Sequence, residues 1–188
     1  MDNADTQLRF EAVLRRPADP LAEDGWAFVI LPKAISDAFP RRGRTSMQGF
    51  LNGHRFQATL EPDGGLSHWF KVPAALMDAA GVACGDTVTF EVSPAPGELE
   101  PVIPPELAAM LDALPPARTT WEATTTVARI DWVHWIESAR QAKTRSKRVA
   151  DAGDMLASGK KRVCCFDPSG YYSKSLSPPR EAKQASRD

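Results

Sequence analysis

The chain has 188 residues, a formal net charge of −1, 43% hydrophobic and 25% charged residues, ordinary values for a soluble globular domain with an appendage. No apolar run approaches the roughly 18–20 residues of a membrane span. Three cysteines, two of them adjacent, rule out a disulfide framework. The opening MDNADTQLRF is too acidic and polar for a secretory leader, so a cytoplasmic location is expected.

Alternating or β-rich runs appear first at 7–16 (QLRFEAVLRR), 26–31 (WAFVIL) and 45–51 (TSMQGFL). Three more follow at 54–60 (HRFQATL), 66–72 (LSHWFKV) and 86–93 (DTVTFEVS). Asn52-Gly53 suits a two-residue hairpin turn, and Asp63-Gly64-Gly65 a looser one. The third, fourth and fifth runs are therefore expected to form an antiparallel meander.

Two segments repeat one pattern. LPKAISDAF (31–39) and VPAALMDAA (72–80) align at an offset of 41 residues, with Pro32 on Pro73, Ala34 on Ala75 and Asp37 on Asp78. Each proline fits the first turn of a short helix, where a missing N–H costs nothing. Each helix follows an aromatic-rich strand and precedes another strand. Gly85-Asp86 before the last strand resembles the turn of double-psi and related cradle-loop barrels, with Gly at positive φ and Asp bonding backbone N–H groups. The fold expected is α+β: a closed six-stranded barrel of double-psi or cradle-loop type, built on a duplicated strand–helix–strand unit and followed by a small helical part.

Five prolines in PAPGELEPVIPP mark an extended linker. Helices are then expected at 105–114, between Ala117 and Ala142 with a break at Thr124-Thr125-Thr126, and from an N-cap at Thr144 to a stop at Gly159. The expected organisation is a barrel at 1–94, a linker at 95–105, a helical segment at 106–167 and a disordered tail at 168–188.

Several segments carry a family resemblance. LRFEAVL, GWAFVILP, MQGFLNGHRFQATL and GDTVTFEV resemble a bacterial domain of unknown function that forms a small β-barrel. WIESARQAKTRSKRVADAGDMLASGKKRVCCFD (135–167) is similar to the YdeI/OmpD-associated, or bacteriocin-protection, family. The resemblance covers roughly 8–167 and implies a fused pair of domains with a link to bacteriocin or cationic-peptide stress. It implies no catalytic residue. Many relatives hold an acidic residue just before the Thr-Arg, where this chain has Lys143.

Candidate chemistry divides by residue type. Among the histidines, His54 and His68 lie near hairpin ends and could share one end of the barrel with Asp63, as an acid–base cluster or as ordinary exposed polar groups. No nucleophile elbow, phosphate loop or zinc motif is present, so no enzyme, cofactor or metal site is expected. Adjacent Cys164 and Cys165 cannot easily face one tetrahedral metal and read as small apolar residues or redox-responsive thiols.

Charge is asymmetric. Residues 1–139 hold 11 Lys/Arg and 19 Asp/Glu, whereas 140–188 hold 12 and 5. The basic residues Arg140, Lys143, Arg145, Lys147, Arg148, Lys160, Lys161 and Arg162 either pack on the chain's own acidic body or contact nucleic acid or another polyanion non-specifically. The reading preferred is a non-enzymatic binding or protective module, its barrel offering a cationic peptide or small ligand a cleft near the repeated helices. Trp26, Trp69, Trp121, Trp132 and Trp135 are candidates to line that cleft.

Overall fold

The computed structural model describes residues 7–18 and 25–183. They form two compact units, one running to Gly97 and rejoined by the chain from Ser169 onward, the other from Glu98 to Pro168.

The first unit holds six strands, β1 (Leu8–Val13), β2 (Ala27–Ile30), β3 (Thr45–Leu51), β4 (His54–Pro62), β5 (His68–Val72) and β6 (Thr87–Pro94). Two short helices, α1 (Lys33–Ser36) and α2 (Ala74–Ala80), precede β3 and β6. The sheet order is β1-β6-β3-β4-β5-β2, with every pairing antiparallel. Asn52 (φ 48°) and Gly53 (φ 81°) turn β3 into β4 as a two-residue hairpin demands. In the β2–β5 ladder Val29 faces Phe70, and in the β3–β6 ladder Phe50 faces Glu91. Both pairs are 41 residues apart, as antiparallel pairing about a local twofold requires.

The α+β class holds, but the closed barrel does not. β1 and β2 are the end strands of an open half-barrel. Closure would need a β1–β2 ladder, and among the described residues a single bridge, Arg15 with Phe28, joins their ends. β2 is only four residues long, which limits any ladder, and Pro17, with no N–H to donate, ends pairing on the side of the bridge away from β1.

The C-terminal segment meets the chain at that place. Ala18 N–H donates to Arg180 O (2.8 Å), and Ala182 N–H donates to Arg16 O (2.9 Å). Arg15 also pairs with Glu181 at 2.5 Å. Leu176 lies so close to Gly64 and Gly170 that a Cβ on Gly64 would stand 2.2 Å from Leu176 O. The segment 169–183, expected to be disordered, is thus seated on the sheet unit; the last residues of that expected tail, 184–188, lie outside the described residues.

Alternation sends Phe10, Val88, Phe90, Val92, Met47, Leu51 and Leu60 into the hollow of the sheet. Phe90 stacks on Phe10 (centroids 5.3 Å apart) and meets Phe70 edge-on at 5.4 Å. Such pairs add about 1 kcal/mol each to their burial.

The second unit contains α3 (Pro105–Ala113), α4 (Pro115–Glu122), α5 (Thr126–Glu137) and α6 (Ala142–Ala157). Pro105 and Pro115 each sit in a first turn. The triple-Thr break falls where expected, and Thr125 caps α5 by accepting from Ala128 N–H. Thr144 does not cap α6: Gln141 holds that position without a side-chain bond, and Thr144 lies in the first turn. Gly159 follows the helix at φ 85°. Leu107, Leu111, Trp121, Trp132, Ile136 and Leu156 form the core. Residues 98–104, the second half of the expected linker, belong to this unit. No helix among the described residues is long and apolar enough to cross a membrane.

Candidate functional site

On β3 the inward residues are Met47, Gly49 and Leu51, which leaves Phe50 on the outer face of the sheet with 40% of its surface exposed. Its neighbours are fixed by register. Phe50 is opposite Arg55 on β4 and opposite Glu91 on β6, while Glu91 is opposite Arg9 on β1. The next outward row reads Ser93, Gln48 and Gln57 across β6, β3 and β4. Adjacent strands are about 4.8 Å apart. A base, an acid, an aromatic ring and a second base therefore stand in line beside a row of hydroxyl and amides.

Gln7, Gln48, Phe50, Arg55, Glu91 and Ser93 line a groove of about 260 Å³ there, floored by Gly49 and Val92. Gln7 Nε2 donates to Glu91 Oε2 at 3.1 Å and holds that carboxylate at the groove's edge. Gly49 lets β3 and β6 approach closely beneath the groove: a Cβ at this position would lie 2.2 Å from Glu91 O. The arrangement can bind an apolar group on the ring with opposite charges to either side. The groove lies on the sheet's outer face, not near α1 and α2 as expected.

The tryptophans do not line it. Trp121 and Trp132 are core residues of the helical unit, and Trp135 meets Trp132 edge-on at 6.0 Å. Trp69 packs edge-on to Phe28, and Lys71 Nζ sits over Trp26. Trp121 alone borders an opening, of about 250 Å³, beside Glu100, Ile103 and Arg129. There Arg129 Nε donates to Glu100 Oε2 at 2.9 Å, which lowers the Glu100 pKa and raises that of Arg129. This ion pair fastens the strap 98–104 to α5.

The expected histidine cluster does not assemble. His54 opens β4 on the surface, whereas His68 pairs with Pro62 at the strand's far end, about 27 Å away at 3.3–3.4 Å per residue. His68 and Ser36 are fully buried. His68 Nε2 lies 3.1 Å from Gly43 O, and only an N–H can donate to a carbonyl, so Nδ1 accepts from the Ser36 hydroxyl at 2.7 Å. Asp63 accepts from the Gly65 and Ser67 N–H groups and serves the turn. The Ser36–His68 pair has a nucleophile–base geometry without access for a substrate. It latches α1 and the loop at Gly43 onto β5.

Burial lowers the His68 pKa from its ordinary 6.5. As pH falls below about 6.5 the unfolded chain takes up a proton that the folded chain refuses, so stability falls toward the depressed folded pKa. Wild type is expected to lose stability between pH 7.5 and 5 in urea titrations, and His68→Gln to show a smaller loss over that range. Equal pH slopes would contradict the assignment. Ser36→Ala, which leaves Nδ1 unpartnered, should cost about 1–3 kcal/mol at pH 7.5.

The basic candidates divide in two. Arg145 donates to Glu106 on α3, which, after Glu106's own backbone bond, helps lower the Glu106 pKa. Arg148 donates to Trp135 O and to Ser138 Oγ (2.9 Å), with its guanidinium 5.3 Å from the Trp135 ring centroid. Lys147 pairs with Asp151 at 2.6 Å. Arg140, Lys143, Lys160, Lys161 and Arg162 are exposed. Glu106 thus supplies the carboxylate that Lys143 displaces from the position before Thr144. Residues 98–139 hold seven Asp/Glu and two Lys/Arg, and residues 140–168 hold three and eight. The formal charges of residues 98–168 therefore balance, Arg145 and Lys147 have acid partners in α3 and α6, and nucleic-acid binding gains no support.

The turn at Gly85 and Asp86 has the expected build: Gly85 has φ 98° and Asp86 accepts from Ala83 N–H at 2.8 Å. Cys165 takes φ 57°, and the Cys164 and Cys165 sulfurs lie 3.2 Å apart.

These features define a two-unit chain, a half-barrel with a dipolar groove on its outer face and a helical unit that neutralises its own charge. Residues 10–92 match the family model of a domain of unknown function, DUF1905, and residues 100–159 match OmdA, described as bacteriocin-protection, YdeI or OmpD-associated. The chain carries these two family segments in that order, as the resemblance implied. No curated protein matches it.

Proposed function

We propose that the protein is a non-enzymatic binding module that holds a short peptide-like ligand on the outer face of its half-barrel. One observation carries this reading: Phe50 is exposed at the centre of a row between Arg55 and Glu91, with Gln7, Gln48 and Ser93 beside it. A peptide presents matching groups, an apolar side chain for the ring, a cation for Glu91, a carboxylate for Arg55 and backbone amides for the glutamines. The description of the second segment as bacteriocin-protection agrees with a peptidic ligand. The groove holds both signs of charge, so it suits a dipolar peptide better than a polycation. Protection would then be sequestration, with no bond broken.

The test is a fluorescence titration of the full chain at low salt with two labelled peptides, Lys-Phe-Glu and an oligolysine. Lys-Phe-Glu is expected to bind more tightly than oligolysine, and to weaken at least tenfold against Phe50→Ala, the usual loss for a central aromatic anchor. Absence of saturable binding of Lys-Phe-Glu sinks the proposal, and so does equal binding by Phe50→Ala.

A further inference from the structure

The segment after α6 alternates anchors and exposed thiols. Lys161 O accepts from the Trp132 indole N–H at 3.4 Å, and Val163 packs on the helical core. The Phe166 ring meets the buried His134 edge-on at 5.1 Å. Between these anchors Cys164 and Cys165 are both exposed. Neighbouring residues in extended chain point to opposite sides. Here Cys165 sits in the left-handed region at φ 57°, and the two Sγ atoms lie 3.2 Å apart. A thiol pair fixed at both flanks and aimed outward is pre-organised for one atom that binds both sulfurs.

Geometry narrows that atom. With sulfur–metal bonds of about 2.3 Å, two sulfurs 3.2 Å apart subtend about 88°. That is well below the tetrahedral angle zinc prefers, and close to the pyramidal angle of a three-coordinate p-block centre. No group of three or more His, Cys, Asp or Glu among the described residues could complete a tetrahedron. Direct oxidation to a disulfide fits poorly, because Cα atoms joined by a trans peptide are about 3.8 Å apart and disulfides want about 4.4–6.8 Å. An inserted atom lengthens the bridge and relieves that mismatch.

We propose that Cys164 and Cys165 form a two-thiol site for trivalent, three-coordinate thiophiles of the arsenic(III) class. With a monosubstituted arsenic oxide, two S–H bonds and the As=O group are exchanged for two As–S bonds and one water, and arsenic stays trivalent. The hydrogen bond between the two thiols raises the Cys165 pKa.

The probe is phenylarsine oxide, added to the reduced full chain and followed by intact mass. Wild type and Cys84→Ser are expected to take one equivalent, with loss of one water, and to keep it against excess monothiol while releasing it to a dithiol. Cys164→Ser and Cys165→Ser should each lose the monothiol-resistant adduct by at least tenfold in occupancy. The thiols are exposed, so these variants should keep the fold, checked by circular dichroism. A resistant adduct in either single variant, or one lost with Cys84→Ser, overturns the proposal. So does conversion of wild type by monothiol as fast as a one-sulfur adduct.

Discussion

Gly49→Ala should destabilise the sheet unit by about 3 kcal/mol or more, although alanine normally improves on glycine in a strand by roughly 0.5–1 kcal/mol. The sign is decided by what the new methyl meets. It would stand 2.2 Å from Glu91 O and 2.9 Å from the Val92 Cα, atoms of the backbone of β6. Relief would require moving β6 off β3 along a ladder of five residue pairs, Met47 with Pro94 through Leu51 with Phe90. Gly153→Ala is the useful control. There the methyl meets the Met110 Sδ at 2.9 Å, part of a flexible side chain, and a helix interior gains about 1 kcal/mol from alanine. Urea unfolding of both variants should show a large loss for Gly49→Ala and a change within about 1 kcal/mol for Gly153→Ala. Comparable losses would mean that β3 and β6 are not packed as described.

Trp132→Ala is expected to cost the helical unit about 3–5 kcal/mol. The side chain is fully buried among Leu107, Leu111 and Leu156 and packs edge-on against Trp135. Its indole N–H also fixes Lys161 O, so the loss should spread beyond the core to the segment that carries the thiols. Trp132→Phe separates the two roles. It keeps most of the apolar area and removes the N–H, and should cost about 1–2 kcal/mol while freeing residues 161–166. Hydrogen exchange reads this directly. Amides of α5 and α6 should lose protection in Trp132→Ala, and residues 161–166 should exchange faster in both variants. Unchanged exchange there in Trp132→Phe would remove the anchor from the account.

Most of the architecture was legible because period two and turn chemistry are local. TSMQGFL gave β3 at its observed limits, and Asn52-Gly53 gave the hairpin. The helix breaks followed from Pro115 and the triple threonine. Closure was not legible, because it depends on whether the edges of β1 and β2 run alongside long enough to ladder, and a four-residue β2 meets the chain after β1 at a single antiparallel bridge. The burial of His68 was hidden for a similar reason. A histidine at a hairpin end is exposed by default, and its partners Ser36 and Gly43 come from another part of the chain.

The groove left one trace in the sequence. In β3 the inward phase is Met47, Gly49 and Leu51, so Phe50 is a large apolar residue out of phase, which the alternation alone could have flagged. Its charged flanks could not be read, since Arg55 and Glu91 join it only through pairing on both sides of β3. The basic stretch looked like one surface because its charges are close in sequence. Folding separates them: Arg145 and Arg148 turn toward α3 and α5, and their neighbours remain exposed.

Amide shift mapping of the full chain with saturating Lys-Phe-Glu locates the bound ligand. Perturbations are expected to concentrate on residues 48–51, Arg55 and residues 91–93, and to be lost in Phe50→Ala. Shifts confined to residues 98–168, or none at saturating peptide, would contradict binding there.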